Sequence, residues 1–289
     1  MLNTVSAKQI QDASEVDLVQ FLLQHGEQLK NCGLQFEWVR HSGKVIIAKN
    51  KWYDFYDQEG GYPIGFVKKY YGLDFPNAVR FLLGEPFSAE QKEFKLPEQN
   101  KNLTTVKKYL TDVRGIDPDI LETFISEGLI YESKDYHNIV FVGKEKDGVP
   151  AHAHRRSATI KKKYVGTVPG SKADCSFSRI GTGDILYVFE SPIDMLSYIT
   201  MNKQEWFKHS YVACCGLSAA PIIRIIHDFP HIKTVFLCFD NDEAGQRATK
   251  KISDKLFING VFAEVLVPTR KDWNEDLIIL KKEGVIQNE

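Results

Sequence analysis

"FLCFDNDEAGQRA", Phe236 to Ala248, is the stretch whose reading decides the fold. An apolar run suited to a buried strand ends in two aspartates, Asp240 and Asp242, and a helix-forming segment begins at once. The same alternation recurs from Ile185 onward: "ILYVFE" runs into "SPIDMLSYITMNK", "SYVACCG" into "PIIRIIHDF", and "VFAEVLVP" into "NEDLIILKKEG". Four β-branched or aromatic runs alternating with helices predict an α/β fold with a mostly parallel sheet flanked by helices on both faces.

In open α/β sheets, ligands collect beyond the carboxyl ends of the strands. Glu190 ends one predicted strand, Asp240 ends another, and Asp242 follows at the turn into the next helix. Asp194 lies four residues after Glu190, in the first helical turn at the same edge, and "PTRKDWNED" brings Lys271, Asp272, Asn274 and Asp276 there. Each acid taken singly suits a helix N-terminus, where carboxylates cap amides and meet the positive end of the dipole. Several delivered to one edge repel one another, and a bound cation removes that conflict. Hard carboxylate oxygens suit Mg²⁺ or Mn²⁺.

The chain of 289 residues is 43% hydrophobic, a globular composition, and no apolar run approaches the ~20 residues needed to span a bilayer. The start "MLNTVSAKQIQDASEV" carries no signal-peptide pattern, so the expectation is a cytoplasmic protein with no membrane partner. Five cysteines form no CxxC pair, which leaves no framework for disulfides or structural zinc. The net charge of −1 excludes a uniformly basic nucleic-acid binder, yet charge is unevenly spread. Between Asn138 and Lys172 there are eight basic and two acidic residues, a local charge of +6.

Composition and periodicity divide the chain into residues 1–84, closing on an amphipathic helix in "FPNAVRFLLGEP"; a polar linker over 85–102; a basic segment over 103–183; and the α/β domain over 184–289. Within 104–127 two short helices flank "RGIDP", with Asp117 as N-cap and Pro118 at the first helical position. "NIVFVGKEKDGVPAHAHRR" reads as a hairpin turning at "KDG".

"YVFESPIDMLSY", followed by "FLCFDNDEAGQRA" and "KDWNEDL", resembles the TOPRIM domain shared by bacterial primases, type IA and II topoisomerases, OLD-family nucleases and the RecR recombination protein. The resemblance implies that Glu190, Asp240 and Asp242 are catalytic and metal-binding acids, joined by Asp194. Ser191 stands where the family commonly has Gly. Upstream, "VKKYLTDVRGIDPDILETFISEGLI" resembles the start of the bacterial (DnaG-type) primase catalytic core, and "NIVFVGKEKDGVPAHAHRR…KKYVGTVPGSK" is similar to its basic subdomain. That implies contacts from Arg155, Arg156, Lys163 and Lys172 to template or nucleotide phosphates, with Lys271 and Asp272 alongside. His137-Asn138 stands where the family often has Arg.

"KWYDFYDQEGGYPIGFVKKYYGLDFPNAVRFLLG" resembles the second half of the primase zinc ribbon. Asp54 and Asp57 stand where two cysteines would be, His41 matches a ligand histidine, and Trp38 replaces its cysteine, so no zinc is expected. Trp52, Tyr53 and Tyr56 are the expected stacking residues for single-stranded DNA on an exposed ribbon. The whole looks like the small primase-like proteins of plasmids, conjugative elements and phages. It implies a DNA-dependent RNA primase using Mg²⁺ or Mn²⁺, single-stranded DNA and nucleoside triphosphates, with a replicative helicase or conjugation proteins as partners. The rival readings are a non-catalytic single-strand-binding accessory protein and a TOPRIM nuclease.

Overall fold

The computed structural model describes residues 5–39, 44–55, 59–86, 93–159, 164–216, 218–258 and 260–286. The chain divides into two compact units, Met1–Gln91 and Lys92–Glu289. Among the described residues, no helix is long and apolar enough to cross a membrane.

In the first unit, helices α1 (Ala7–Glu15) and α2 (Leu18–Gln24) precede an antiparallel meander of β1 (Leu29–Asn31), β2 (Phe36–Trp38), β3 (Val45–Ala48), β4 (Lys51–Asp54) and β5 (Glu59–Gly61). Helices α3 (Pro63–Tyr71) and α4 (Phe75–Leu82) close it. Local chemistry sets the helix starts: Ser6 and Gln9 form a capping box, Asp17 and Asp74 cap α2 and α4, and Pro63 opens α3. Strand alternation decides the fate of the aromatics. Along β4 the burial pattern is out, in, out, in, so Lys51 and Tyr53 face solvent while Trp52 and Asp54 are buried. Trp52, expected on an exposed ribbon, is instead a core residue at 5% exposure, and its indole N–H donates to the Tyr62 carbonyl.

The buried face of this unit holds Trp38, Ile47, Trp52, Phe66, Val67 and Val79. Phe66 and Tyr70 pack against Trp38 and Trp52 with ring centroids 4.9–5.8 Å apart. Asp54, which stands at a cysteine position of the resembled ribbon, accepts a 2.7 Å hydrogen bond from the Tyr70 hydroxyl and lies 3.7 Å from the Lys69 ammonium. His41, Tyr56 and Asp57 lie outside the described residues.

The second unit begins with α5 (Thr104–Lys108), a π-helical turn (Tyr109–Val113) and α6 (Pro118–Ser126), capped by Asp117 as its sequence implies. An antiparallel sheet follows in the order β6 (Ile130–Glu132), β7 (Asn138–Lys144), β8 (Pro150–Ser157) and β9 (Val165–Thr167). The polar stretch ahead of α5 is docked on this sheet from Pro97 on: its carbonyl accepts from the Tyr131 hydroxyl, and Asn100 N–H donates to the Glu132 carbonyl.

Next come β10 (Ser178–Arg179), β11 (Ile185–Phe189), α7 (Pro192–Met201), β12 (Ser210–Ala213), α8 (Ala220–Asp228), β13 (Thr234–Leu237), α9 (Glu243–Ile258), β14 (Ala263–Val265) and α10 (Trp273–Lys282). Their sheet runs β10-β12-β11-β13-β14, parallel except for β10. All four expected parallel strands are present. Leu186 and Val188 of β11 face a core shared with Ile222 of α8 and Ile252 of α9. The alternate residues Tyr187 and Phe189 face the other core, which also takes Ile139 and Phe141 from β7 and Phe124 from α6. One continuous apolar layer therefore fastens the antiparallel sheet to the parallel one.

Helix α9 approaches the end of β13 so closely that a Cβ on Gly245 would lie 2.0 Å from the Asp240 carbonyl oxygen, a backbone atom that cannot yield. Gly245→Ala is expected to destabilise the chain by about 1–3 kcal/mol, the usual cost of overpacking, read as a lowered urea midpoint at unchanged m-value.

Candidate functional site

Of the helices that follow the parallel strands at their carboxyl edge, α7, α9 and α10 begin with residues singled out above. Ser191, at an ordinary extended φ of −124°, caps α7 by accepting from Asp194 N–H, so the turn after Glu190 needs no glycine. Asp242 Oδ1 accepts from Ala244 and Gly245 N–H at the start of α9, and Asp272 Oδ1 accepts from Glu275 N–H at the start of α10. The capping explanation for single acids therefore holds for Asp242 and Asp272, but each spends only one oxygen on it.

Electrostatics shows which acids meet. Burial, followed by the like charges of Asp194, Glu190, Asp272 and Asp242, pushes the Asp240 carboxyl up to about 8. Its Oδ1 is buried with no hydrogen-bond partner. Burial and then Asp242 raise Glu190, opposed by the Lys271 ammonium. The structure thus gathers Glu190, Asp194, Asp240, Asp242 and Asp272 into one field. Asp272, expected to touch nucleotide or template, adds a further carboxylate.

Asp194, expected as a metal ligand, lies in the field of Asp240 and also makes bracing bonds of its own. It is buried, takes a 2.5 Å hydrogen bond from the Ser191 hydroxyl and accepts from Asn274 N–H, so it braces α7 against α10 beneath the cluster. Burial comes first in raising its carboxyl to about 6, with Asp272 adding to the effect and Ser191, Asn274 and Arg156 opposing it. Asn274 extends this bracing: its side-chain amide donates to Ser197 Oγ and the Arg114 carbonyl, and its oxygen accepts from Arg114. The Trp273 indole donates to the Cys238 carbonyl, fixing the strand that ends in Asp240. Asp276 binds the Thr269 and Arg270 amides and so shapes the loop that carries Lys271 and Asp272.

The expected basic residues separate. Arg155 and Arg156 are adjacent on β8 and so point to opposite faces. Arg156 pairs in register with Ile139, whose side chain joins the shared core, and its charge is felt by Asp194. Arg155 sits opposite Val140 on the other face, where it donates to the Tyr164 hydroxyl at 2.9 Å and lies over that ring. Lys172 is not brought to the acids: its amide bonds to Ala151 at the far end of β8, about 16 Å along the strand from Arg156, and its ammonium is paired with Glu145 at 2.5 Å. Lys163, with Lys161 and Lys162, lies outside the described residues. In the first unit, Tyr53 and Phe55 are exposed on one face with rings 5.0 Å apart, edge to face. Phe55 escaped sequence reading, although its spacing of two from Tyr53 put it on the same side of the strand.

The donor set fits a hard divalent cation. It is made of carboxylate oxygens, one buried without a partner, whose mutual repulsion a positive ion would relieve. No three His, Cys, Asp or Glu side chains among the described residues are already drawn to ligand spacing.

Residues 187–277 match the Toprim-like family, and residues 108–183 match a family of proteins of unknown function, DUF3991. The uncharacterized protein pXO2-78 of Bacillus anthracis is 25% identical over 273 residues, 85% of this chain and 78% of its own length. The primase fragment of the bacteriophage T7 primase-helicase protein superposes with a TM-score of 0.51 at 18% identity, covering 83% of this chain and 93% of the fragment. The Aquifex aeolicus primase fragment comprising zinc-binding and RNA polymerase domains gives 0.43 at 17% identity, over 97% and 84%. Residues 187–277 thus match the Toprim-like model, and the chain shares its fold with the T7 primase fragment.

A carboxyl raised in the folded state costs stability as pH climbs from its unfolded value toward its folded one. In chelator, Asp240→Asn should therefore raise the melting temperature by about 2–4 °C per kcal/mol of relieved repulsion, more at pH 8.5 than at pH 5. Added Mn²⁺ should stabilise the wild type and leave Asp240→Asn nearly unmoved in the same calorimetric scans.

Proposed function

We propose that this protein is a DNA primase, a nucleotidyltransferase that makes short RNA primers on single-stranded DNA from nucleoside triphosphates. The observation that carries the reading is Asp240: a buried carboxylate oxygen without a partner, at the centre of a like-charged cluster, with cationic Lys271 and Arg156 at its edges. A group held so unfavourably for folding is characteristic of functional sites.

In the reaction the 3′-hydroxyl oxygen of one nucleotide bonds to the α-phosphorus of the next. The bond to the β-phosphate breaks, and pyrophosphate leaves with its electron pair. Positioning and charge neutralisation dominate such transfers. A Mg²⁺ or Mn²⁺ ion held by Glu190, Asp240 and Asp242 would supply, when bound, neutralisation of phosphate charge and activation of the hydroxyl. Glu190, half-buried and already raised, is the group suited to take the hydroxyl proton on its carboxylate. Lys271 and Arg156 orient triphosphate oxygens from the rim, and Arg155 with Tyr164 offers a cation and a ring to the template strand on the outer face of β8.

Tyr53 and Phe55 of the first unit form the template-stacking surface, with the Lys44 ammonium 5.6 Å from the Phe55 ring. The plasmid designation of the Bacillus anthracis relative supports a mobile-element setting, and the helicase joined to the T7 primase supports a replicative helicase as partner.

Incubation with single-stranded DNA, labelled nucleoside triphosphates and Mg²⁺ or Mn²⁺ should yield short oligomers, and Asp240→Asn should reduce them at least 100-fold while DNA affinity is retained. Template degradation without nucleotides would identify a nuclease, and binding indifferent to Asp240 and to metal, with no product, would identify an accessory protein. Tyr53→Ala with Phe55→Ala is expected to weaken oligonucleotide binding about tenfold at unchanged melting temperature, measured by fluorescence anisotropy.

A further inference from the structure

At one edge of the parallel sheet, apolar side chains gather outside the core. Phe257 and Ile258 end α9, Phe262 leads into β14, Val265 ends that strand and Val267 lies two residues on; their exposures are 62%, 59%, 76%, 49% and 56%. The Phe257 and Phe262 rings meet edge to face with centroids 5.4 Å apart. Together the five side chains expose roughly 500 Å² of apolar surface. That is near the upper limit for a soluble monomer, where such patches commonly serve association. The flanking charges, Asp254, Lys255 and Glu264, are of both signs, which suits neither a phosphate backbone nor an anionic membrane.

The same edge carries open backbone. Among the described residues β14 pairs with β13 alone. Leu237 lies opposite Val265, and the Leu266 amide donates to the Leu237 carbonyl at 3.0 Å. Alternate residues of a strand turn their amide and carbonyl the same way. Those of Glu264 and Leu266 therefore point at β13, and those of Ala263, Val265 and Val267 point outward. The strand has neither the Lys nor the Pro that commonly blunts an exposed edge.

We propose that this edge is the contact between two copies of the chain, with β14 pairing antiparallel to β14 of the partner subunit about a twofold axis at Val265. A twofold contact needs a surface that complements itself. Outward amides and carbonyls do so: Val265 exchanges both bonds with Val265 of the partner subunit, and Ala263 with Val267 of the partner subunit. This register sets Glu264 opposite Leu266 of the partner subunit. Moving the axis to Glu264 would set that carboxylate against its own copy, and like charges directly opposite are unfavourable. Two patches together supply roughly 1,000 Å² of apolar surface, the area a specific interface must clear, before any polar rim is counted. Parallel strands of the two copies then run in opposite directions. Their acid clusters lie at opposite ends of one joined sheet, and the contact follows the flank of that sheet rather than crossing either cluster. The inference does not depend on the chemistry performed there.

The test is sedimentation velocity of the full chain between about 1 and 100 µM. The wild type should have the mass of two chains at the upper concentration and dissociate on dilution. Phe262→Glu places a charge at a position that is 76% exposed, and should weaken association at least about 30-fold at unchanged melting temperature. Val149→Glu, at an exposed position beside the β7–β8 turn, should change neither. Cys32 is the exposed thiol among the described residues, so trapping is read in a Cys32→Ser background. There Val265→Cys should give a disulfide-linked dimer under diamide, because hydrogen-bonded antiparallel partners lie about 5.5 Å apart at Cα, within disulfide reach. A wild type that stays monomeric at about 100 µM overturns the proposal and assigns the patch to a different macromolecule. A dimer that survives Phe262→Glu, or that Val265→Cys does not trap, overturns it as well.

Discussion

Like charge held at one place is the constraint around which the second unit is built. Parallel strands deliver their carboxyl ends to a single edge, and the turns there carry Glu190, Asp240, Asp242 and Asp272. Left alone, these groups push apart. Three features oppose the repulsion: helix N-termini at α7, α9 and α10, the Lys271 ammonium, and capping bonds that use one oxygen each from Asp242 and Asp272. None of them satisfies Asp240, which is left with a buried, unpartnered oxygen.

Such a cluster persists only on a stiff support. The shared core runs from α6 and β7 through β11 to Trp273, so the antiparallel and parallel sheets cannot shift independently without opening apolar surface. Polar ties then aim the edge: Trp273 holds the Cys238 carbonyl, Asp194 joins Ser191 to Asn274, and Asn274 reaches Arg114 next to the π-helical turn. The "YLTDVRGI" and "KDWNEDL" segments are 160 residues apart in sequence and meet through one amide side chain. Asn274 and Arg114 thus brace the edge that presents Lys271 and Asp272.

The parallel strand–helix alternation and the acidic edge were legible because both follow from local rules. Alternating β-branched runs and helices imply parallel pairing, and acids at strand ends imply a shared edge. Side-chain direction was less legible. Trp52 looked like a surface aromatic because aromatic content says nothing of which face a residue takes, whereas counting by two along β4 buries it and exposes Tyr53 and Phe55. Arg155 and Arg156 were grouped by proximity in sequence, and the same period of two sends them to opposite faces. The ion pair of Lys172 and the bracing bonds of Asp194 were illegible for a different reason: their partners, Glu145 and Asn274, come from distant segments that no local pattern announces.

The first unit poses the converse problem, since its sequence resembles a ribbon whose tight fold ordinarily depends on a metal. Here the position of one cysteine is taken by Asp54, a hard ligand that is buried and engaged with the Tyr70 hydroxyl and the Lys69 ammonium. Around it Trp38, Trp52, Phe66 and Tyr70 pack ring against ring, and Lys69 covers two of those rings. Aromatic pairs of this geometry contribute about 0.5–1.5 kcal/mol each beyond burial, so the four supply roughly 2–6 kcal/mol, a part of the ~10–16 kcal/mol that a structural zinc gives a small domain. The exchange alters more than stability. A metal knuckle fixes backbone, whereas an aromatic core fixes alternation, and alternation is what leaves Tyr53 and Phe55 standing outward together.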